Sequence, residues 1–374
     1  MDKIFVKIIK YTLLFLLIFI KNSYAQSLET ILKNSESELI SYVYGNQEKF
    51  EVQIILTELK KRGKSFTIHK KKFNSDKNNY FYPASSIKLP IALLTIEKIN
   101  ESSDLNINSE FSIQGDSIIT TFKKEITDLF IISSNESYNR LFEFLGQDYI
   151  NEKLKQKGFK DFSISHRLST KDSDNLETKE ITFYSNGEIL KIQKSIKNKP
   201  VSKLNLKNLN KGIGFISNNK LQNKPMDFSR KNYFSINELN NILICLFFPE
   251  ISKNKKFYLS KSQNLLIQKL MSSTPFEMGF DKNMYPNNYN KFFIYGDKNG
   301  MINDNIFNKA GNAYGYSIDN AYIYNKNSDR HFVLTACIYT NANNILNDNN
   351  YEYDEIGIPF LAEIGRLLTK YDIR

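Results

Sequence analysis

Tyr82-Pro83-Ala84-Ser85-Ser86-Ile87-Lys88-Leu89-Pro90, followed by the apolar run Ile91 to Ile96, is the stretch on which the reading of this chain turns. Between Ile87 and Ile96 the only ionisable side chain is Lys88. A helix that is apolar nearly all round is a buried one, so the pattern places this lysine inside the fold. Pro90 has no backbone N–H to donate and belongs near the helix start, which sets the boundary close to Ser85. Residues three apart share a helix face, so Ser85 and Lys88 can meet there, whereas Ser86 points elsewhere. A desolvated lysine favours its neutral form, and a neutral amine can take the proton of a serine hydroxyl. The pair is a candidate nucleophile and base. Ser-x-x-Lys recurs at Ser217/Lys220 and Ser252/Lys255, but in polar, Asn-rich stretches with no helix to bury the lysine.

The chain around this pair has 374 residues, 41% of them hydrophobic and 13% aromatic, enough for one large domain or two small ones with a sizeable core. Its net charge of +11 is spread among Asn and acidic residues rather than gathered into a block. That reads as a solvated surface, open to anionic envelope polymers and without a nucleic-acid-binding motif. At the N-terminus, Lys3, Lys7 and Lys10 precede the apolar run Tyr11 to Ile20, and Ser23-Tyr24-Ala25 supplies small residues at the cleavage-determining positions. This is the pattern of a secretory signal peptide cut after Ala25, which leaves residues 26–374 as the mature domain, periplasmic or secreted. No cysteine follows the apolar run, which excludes a lipoprotein anchor, and ten apolar residues are short for a bilayer span. No stable membrane insertion is expected after cleavage. Cys245 and Cys337 sit in apolar segments and read as buried free thiols.

Along the mature chain, 27–44 reads as an amphipathic helix, and Val52 to Leu59 with Ser65 to Phe73 as two strands. Helices are expected at 86–100, Phe122 to Ile132, Glu136 to Leu145, Gln147 to Lys157, Ile236 to Phe248 and Ser260 to Met271. Residues 170–225 are polar and read as an insertion or long loop, with strands possible at Ile181 to Tyr184 and Ile189 to Ile192. Ala313 to Tyr324 and His331 to Thr340 read as neighbouring strands, and Tyr353 to Tyr371 as a closing helix. Strands from both chain ends can then share one antiparallel sheet, with the terminal helices on one face and the helical middle on the other. The expected class is an α+β sandwich.

Two further groups fall in order behind Ser85-x-x-Lys88: Ser133-Ser134-Asn135, and Lys309-Ala310-Gly311 before the strand pair. Together they resemble the S-x-x-K, S-D-N and K-T-G motifs of class A β-lactamases and penicillin-binding proteins. Ser134-Asn135-Glu136-Ser137-Tyr138-Asn139 and Phe307-Asn308-Lys309-Ala310-Gly311-Asn312-Ala313-Tyr314-Gly315 extend the likeness over roughly 27–374. It is closest to the Bacteroidetes-type members with a long middle insertion. The resemblance implies the β-lactamase-like sandwich, no cofactor, and a role for each matched residue. Ser85 would be the acylated nucleophile and Lys88 its base, while Ser133 would carry the proton to the leaving nitrogen. Asn135 and Lys309 would hold the substrate, Gly311 would lie beside it, and the backbone N–H groups of Ser85 and Asn312 would form the oxyanion hole.

The departures from the family pattern are specific. Ser134 replaces the acidic residue of S-D-N, and Ala310 the hydroxyl residue of K-T-G. The family's R-L-D-R-x-E-x-x-L-N loop is matched only at Arg167-Leu168, and counting forward puts Asp172 where the deacylating glutamate would stand. Glu177 is a weaker candidate for the same task. Ser133-Ser134-Asn135 also has a duller reading as a helix cap, and Lys298-Asn299-Gly300 competes with Lys309-Ala310-Gly311. His69, His166 and His331 lack ligand spacing, so no metal site is expected. Gly212-Ile213-Gly214 is too short for a dinucleotide fingerprint. The leading expectation is an exported serine hydrolase acting on β-lactam amides through an acyl-enzyme. The alternatives are a peptidase of the D-Ala-D-Ala type, acting on peptidoglycan-derived peptides with slow β-lactam deacylation, and a non-catalytic envelope binding module.

Overall fold

The computed structural model describes residues 26–63, 65–75, 78–252, 255–286, 289–296, 305–326 and 328–370. The expected signal peptide and the competing Lys298-Asn299-Gly300 lie outside the described residues. Two helices, α1 (Leu28–Lys33) and α2 (Glu38–Gly45), stand where the sequence suggested one. The break falls at Ser35-Glu36-Ser37, where the Ser37 side chain accepts from Ile40 N and starts a new helix.

Strands β1 (Gln53–Arg62) and β2 (Ser65–Phe73) follow, and a 3-10 turn over Ala84–Ile87 then leads into α3 (Lys88–Asn100). Short strands β3 (Glu110–Ile113) and β4 (Thr120–Thr121) precede α4 (Phe122–Ile131), α5 (Asn135–Leu145) and α6 (Gln147–Gln156). The middle of the chain carries β5 (Ile181–Ser185) and β6 (Glu188–Gln193), then α7 (Ile236–Phe247), α8 (Lys261–Ser272) and α9 (Phe292–Tyr295). Strands β7 (Asn305–Ala313), β8 (Tyr316–Asn325) and β9 (Arg330–Tyr339) come next. A π-helical turn at Tyr353–Gly357 enters the last helix, α10 (Ile358–Lys370).

The main sheet has five antiparallel strands in the order β7-β8-β9-β1-β2. Its central strands are buried on both faces, so their apolar residues divide by parity. Ile54 and Leu56 join Leu28, Val43, Phe360 and Ile364 in a core under the terminal helices. Ile55 joins Leu239, Leu243 and Val333 in the larger core under the helical middle. That is the expected α+β sandwich. A polar latch crosses the second interface, where Asn240 accepts from Thr57 Oγ1 at 2.7 Å and donates to Thr335 Oγ1 at 3.1 Å. Both Cys245 and Cys337 are buried free thiols.

Within 170–225 the strands expected at 181–184 and 189–192 form as β5 and β6, which extend β3 and β4 into a four-stranded sheet, and Lys211 reaches back to grip Glu51 at 2.6 and 2.7 Å. One expectation is corrected: Lys309-Ala310-Gly311 lies inside strand β7 rather than ahead of the strands. That strand contains Asn308, Lys309, Gly311 and Asn312, poor strand formers whose preference is overridden by continuous pairing along β8.

Candidate active site

The turn before α3 decides which serine faces outward. The hydroxyl of Ser86 donates to Pro83 O at 2.5 Å and is buried, while Ser85 stays half-buried on the wall of a cleft of about 710 Å3. Ala84, just before it, has φ +46°. Strand β7 passes against this turn so closely that a Cβ at Gly311 would lie 2.6 Å from both N and Cβ of Ser85. Only glycine fits there, and the contact brings the backbone of 311–312 alongside that of Ser85.

Lys88 is wholly buried at the first turn of α3. Its Nζ donates to Ser133 O, sits 2.8 Å from Asn135 Oδ1 and lies 3.2 Å from Ser133 Oγ. Burial drives its pKa well below the ordinary lysine value, the nearby Lys309 pushes it the same way, and Glu136 opposes both. A neutral amine has two N–H donors and one lone pair. The carbonyl of Ser133 and the amide oxygen of Asn135 can only accept, so they take both donors and leave the lone pair for a hydroxyl.

From the other side, Lys309 Nζ donates to Ser133 Oγ at 2.8 Å and to Ala310 O at 2.8 Å. Its pKa is lowered to about 7, chiefly by burial, with Asp319 holding it up and Lys291 pressing it down. The Ser133 hydroxyl thus stands between the two lysines, held at φ +53° by a backbone that non-glycine residues rarely adopt. Ser134 performs the capping task, its Oγ accepting from Ser137 N at 3.0 Å at the start of α5. Within Ser133-Ser134-Asn135, the middle residue caps and its two neighbours face the lysines.

The opposite wall of the cleft is formed by residues 166–170 and Ser173, on a segment that runs to 179. Arg167 anchors it by a buried two-pronged ion pair with Glu143 of α5, at 2.5 and 2.9 Å, and donates to the carbonyls of Asn175 and Glu177. Asn139 clamps Leu168 through two backbone contacts of 2.7 and 2.8 Å. These restraints bring Ser169, at φ +50°, to the amide of Asn135, whose Nδ2 donates to Ser169 Oγ at 2.9 Å. Asp172 is exposed and lies off the cleft wall. Glu177 is exposed too, its carboxylate accepting from Ser195 Oγ at 2.9 Å.

Further residues complete the cleft. Arg167 to Thr170 and Ser173 supply no carboxylate; among the described residues the one on the cleft wall is Asp354, an exposed residue of the π-helical turn. His166, which lacked ligand spacing in the sequence, lies on the wall behind Tyr82, its pKa lowered to about 4 by burial, which keeps it neutral. Tyr314, at φ +53°, packs edge-on against Tyr82 with ring centroids 4.8 Å apart. Ala84, Ser133, Ser169 and Tyr314 all line the cleft in left-handed backbone conformations, a clustering of strain typical of working sites.

Among solved structures the chain is similar to PBP-A, described as a point mutant in an acyl-enzyme complex with penicillin G. The identity is 12% and the TM-score 0.54, over 93% of this chain and 99% of that one. It is also similar to a β-lactamase from Burkholderia ambifaria (10% identity, TM-score 0.53, 90% of this chain and 100% of that one). A β-lactamase from Sphaerobacter thermophilus DSM 20745 aligns comparably (10%, 0.52, 88% and 93%). At such identities the likeness concerns the fold. No curated protein matches the chain significantly. The family model for the β-lactamase enzyme family matches residues 36–371, most of the chain, and the chain therefore belongs to that family, as a class A β-lactamase-like serine hydrolase.

Proposed function

We propose that the protein is exported and takes up β-lactam amides as an acyl-enzyme on Ser85, releasing them slowly. Its ordinary substrates would be open-chain amides or esters of the peptidoglycan stem-peptide type. The observation that carries this reading is the contrast at Asn135, whose oxygen meets the base Lys88 while its nitrogen meets a serine, Ser169, where no carboxylate stands. The acyl-enzyme seen with penicillin G in the PBP-A relative supports the same chemistry.

The steps follow from the donors and acceptors. Ser85 Oγ attacks the amide carbonyl carbon as its proton passes to the lone pair of Lys88. The oxyanion that develops is met by backbone N–H groups of Ser85 and Asn312, each worth about 3 kcal/mol in such a role. The C–N bond then breaks, and the nitrogen takes the Ser133 proton, which Lys88 replaces. Lys309 holds the Ser133 hydroxyl and attracts a substrate carboxylate. Water attack on the resulting ester needs a base, and the cleft-lining residues of 166–175 carry no carboxylate.

Intact-protein mass measured after incubation with benzylpenicillin tests the reading. A persistent adduct of one penicillin mass on Ser85, absent from Ser85→Ala, is the expected result. Rapid cephalosporin turnover without an accumulating adduct would overturn slow release, and no adduct with any β-lactam would overturn the acyl-enzyme itself.

A further inference from the structure

Set back from the cleft, on one face of strand β7, lies a buried polar chain that the chemistry above does not use. Asn308 and Asp319 are diagonal neighbours on that face, Asn308 pairing with Ala321 and Ala310 with Asp319. Lys291 Nζ donates to Asn308 Oδ1 at 2.7 Å and to Met271 O. Asn308 Nδ2 in turn donates to Asp319 Oδ1 at 2.7 Å and to Asn290 O at 2.9 Å. The second carboxylate oxygen of Asp319 accepts from Phe293 N at 3.2 Å. All three side chains are buried, and none of them lines the cleft.

Resting on the acyl-enzyme reading of the site, we propose that this Lys291–Asn308–Asp319 chain sets the charge of Lys309 for the reaction, Asp319 favouring its ammonium and Lys291 opposing it, and that this ammonium in turn keeps Lys88 an amine.

The argument is one of charge and placement. Lys88, Lys291 and Lys309 are all buried, and Asp319 is the buried carboxylate that acts on two of them. Buried ammonium groups are costly without a counter-charge, so three cations cannot all be held by one anion. The Asn308 amide stands between Lys291 and Asp319, so the carboxylate is not consumed by a direct pair and its field reaches Lys309 across the strand. Lys309, once charged, repels a proton from Lys88. The other charged groups facing this set are Glu136 of α5, which acts on Lys88, and Glu277, which acts on Lys291. Helix α8, packed on the same strand, buries Ile267, Leu270 and Met271 and presents no charge there.

Asp319→Asn and Lys291→Met test the relay because they act in opposite directions. The second-order rate of Ser85 acylation by a fluorescent penicillin is followed from pH 5.5 to 9.5, and its limbs report ionisations of the free enzyme. Removing the anion makes Lys309 easier to deprotonate, so in Asp319→Asn the alkaline limb moves down by about one pH unit, a tenfold loss on that limb. Removing the neighbouring cation moves the same limb up in Lys291→Met. A merely structural role would lower the melting temperature of both variants and leave both limbs in place. Limbs that coincide with wild type, or move the same way, overturn the proposal. If Asp319→Asn does not fold, the direction of the Lys291→Met limb decides alone. If wild type is never acylated, the acyl-enzyme reading fails. The relay is then judged by 13C titration of the Lys309 side chain, assigned through Lys309→Arg, where a midpoint that neither Asp319→Asn nor Lys291→Met moves overturns it.

Discussion

The two walls of the cleft are built on opposite principles. The wall that carries Ser85, Lys88, Ser133 and Lys309 is dense with buried titratable groups, and every lysine nitrogen on it is matched to acceptors. The facing wall, 166–175, presents hydroxyls, and its one buried charge, Arg167, is spent on Glu143. On the proposed acyl-enzyme reading, loading an acyl group needs a base inside the protein, and Lys88 on the first wall would be that base. Unloading it needs a base for water, and the second wall is arranged to hold its shape instead. On that reading one cleft is complete for one half of a reaction and spare for the other.

Ser85→Ala breaks the contrast outright. Adduct formation with benzylpenicillin should vanish in the mass spectrum, while the far-UV spectrum stays that of wild type because the side chain is half-buried and small. Glu143→Gln attacks the second wall. It leaves the Arg167 guanidinium buried without its anion, and chemical denaturation should show a loss of about 3–5 kcal/mol. A loss under about 1 kcal/mol would mean that the ion pair does not hold the loop.

Ser169→Glu sharpens the comparison by placing a carboxylate beside Asn135. Decay of the penicillin adduct should quicken by about a hundredfold, the lower end of what a positioned base contributes. A glutamate at Asp172 instead, exposed and off the wall, should leave the lifetime unchanged. The smallest effect is on stability against pH. Folding lowers the pKa of Lys309 to about 7, so the unfolded chain binds a proton there that the native one lacks between about pH 7 and the ordinary lysine range, and Lys88, lowered well below its ordinary value by burial, acts in the same direction. Stability should therefore rise from pH 7 to pH 9, by up to about 1.4 kcal/mol per pH unit for each such group. Lys309→Met should flatten that slope in thermal melts.

Much of the first wall was legible in the sequence because its signals are local. A lysine alone in an apolar helix, and a Ser-Ser-Asn group ahead of another helix, are read within a few residues of each other. The second wall was not, because its path is set by distant partners. Counting forward from Arg167 assumes a loop of fixed length and arrives at Asp172, whereas the Arg167–Glu143 pair and the Asn139 clamp pull the chain in sooner and deliver Ser169. Strand β7 was missed for a related reason, since its Asn and Lys residues are held by pairing that no local propensity shows. Asn308 and Asp319 look like ordinary polar residues in sequence. Only the register of β7 on β8 makes them neighbours in the interior.

Four of the six left-handed residues around the cleft, those that are not asparagine, have an energetic consequence. At about 1–3 kcal/mol each, Ala84, Ser133, Ser169 and Tyr314 hold a shape that the rest of the molecule enforces before any ligand arrives. A mould already set gives up little freedom on filling, so crystals of the empty protein should take up a penicillin by soaking without cracking, and the backbone before and after should superpose.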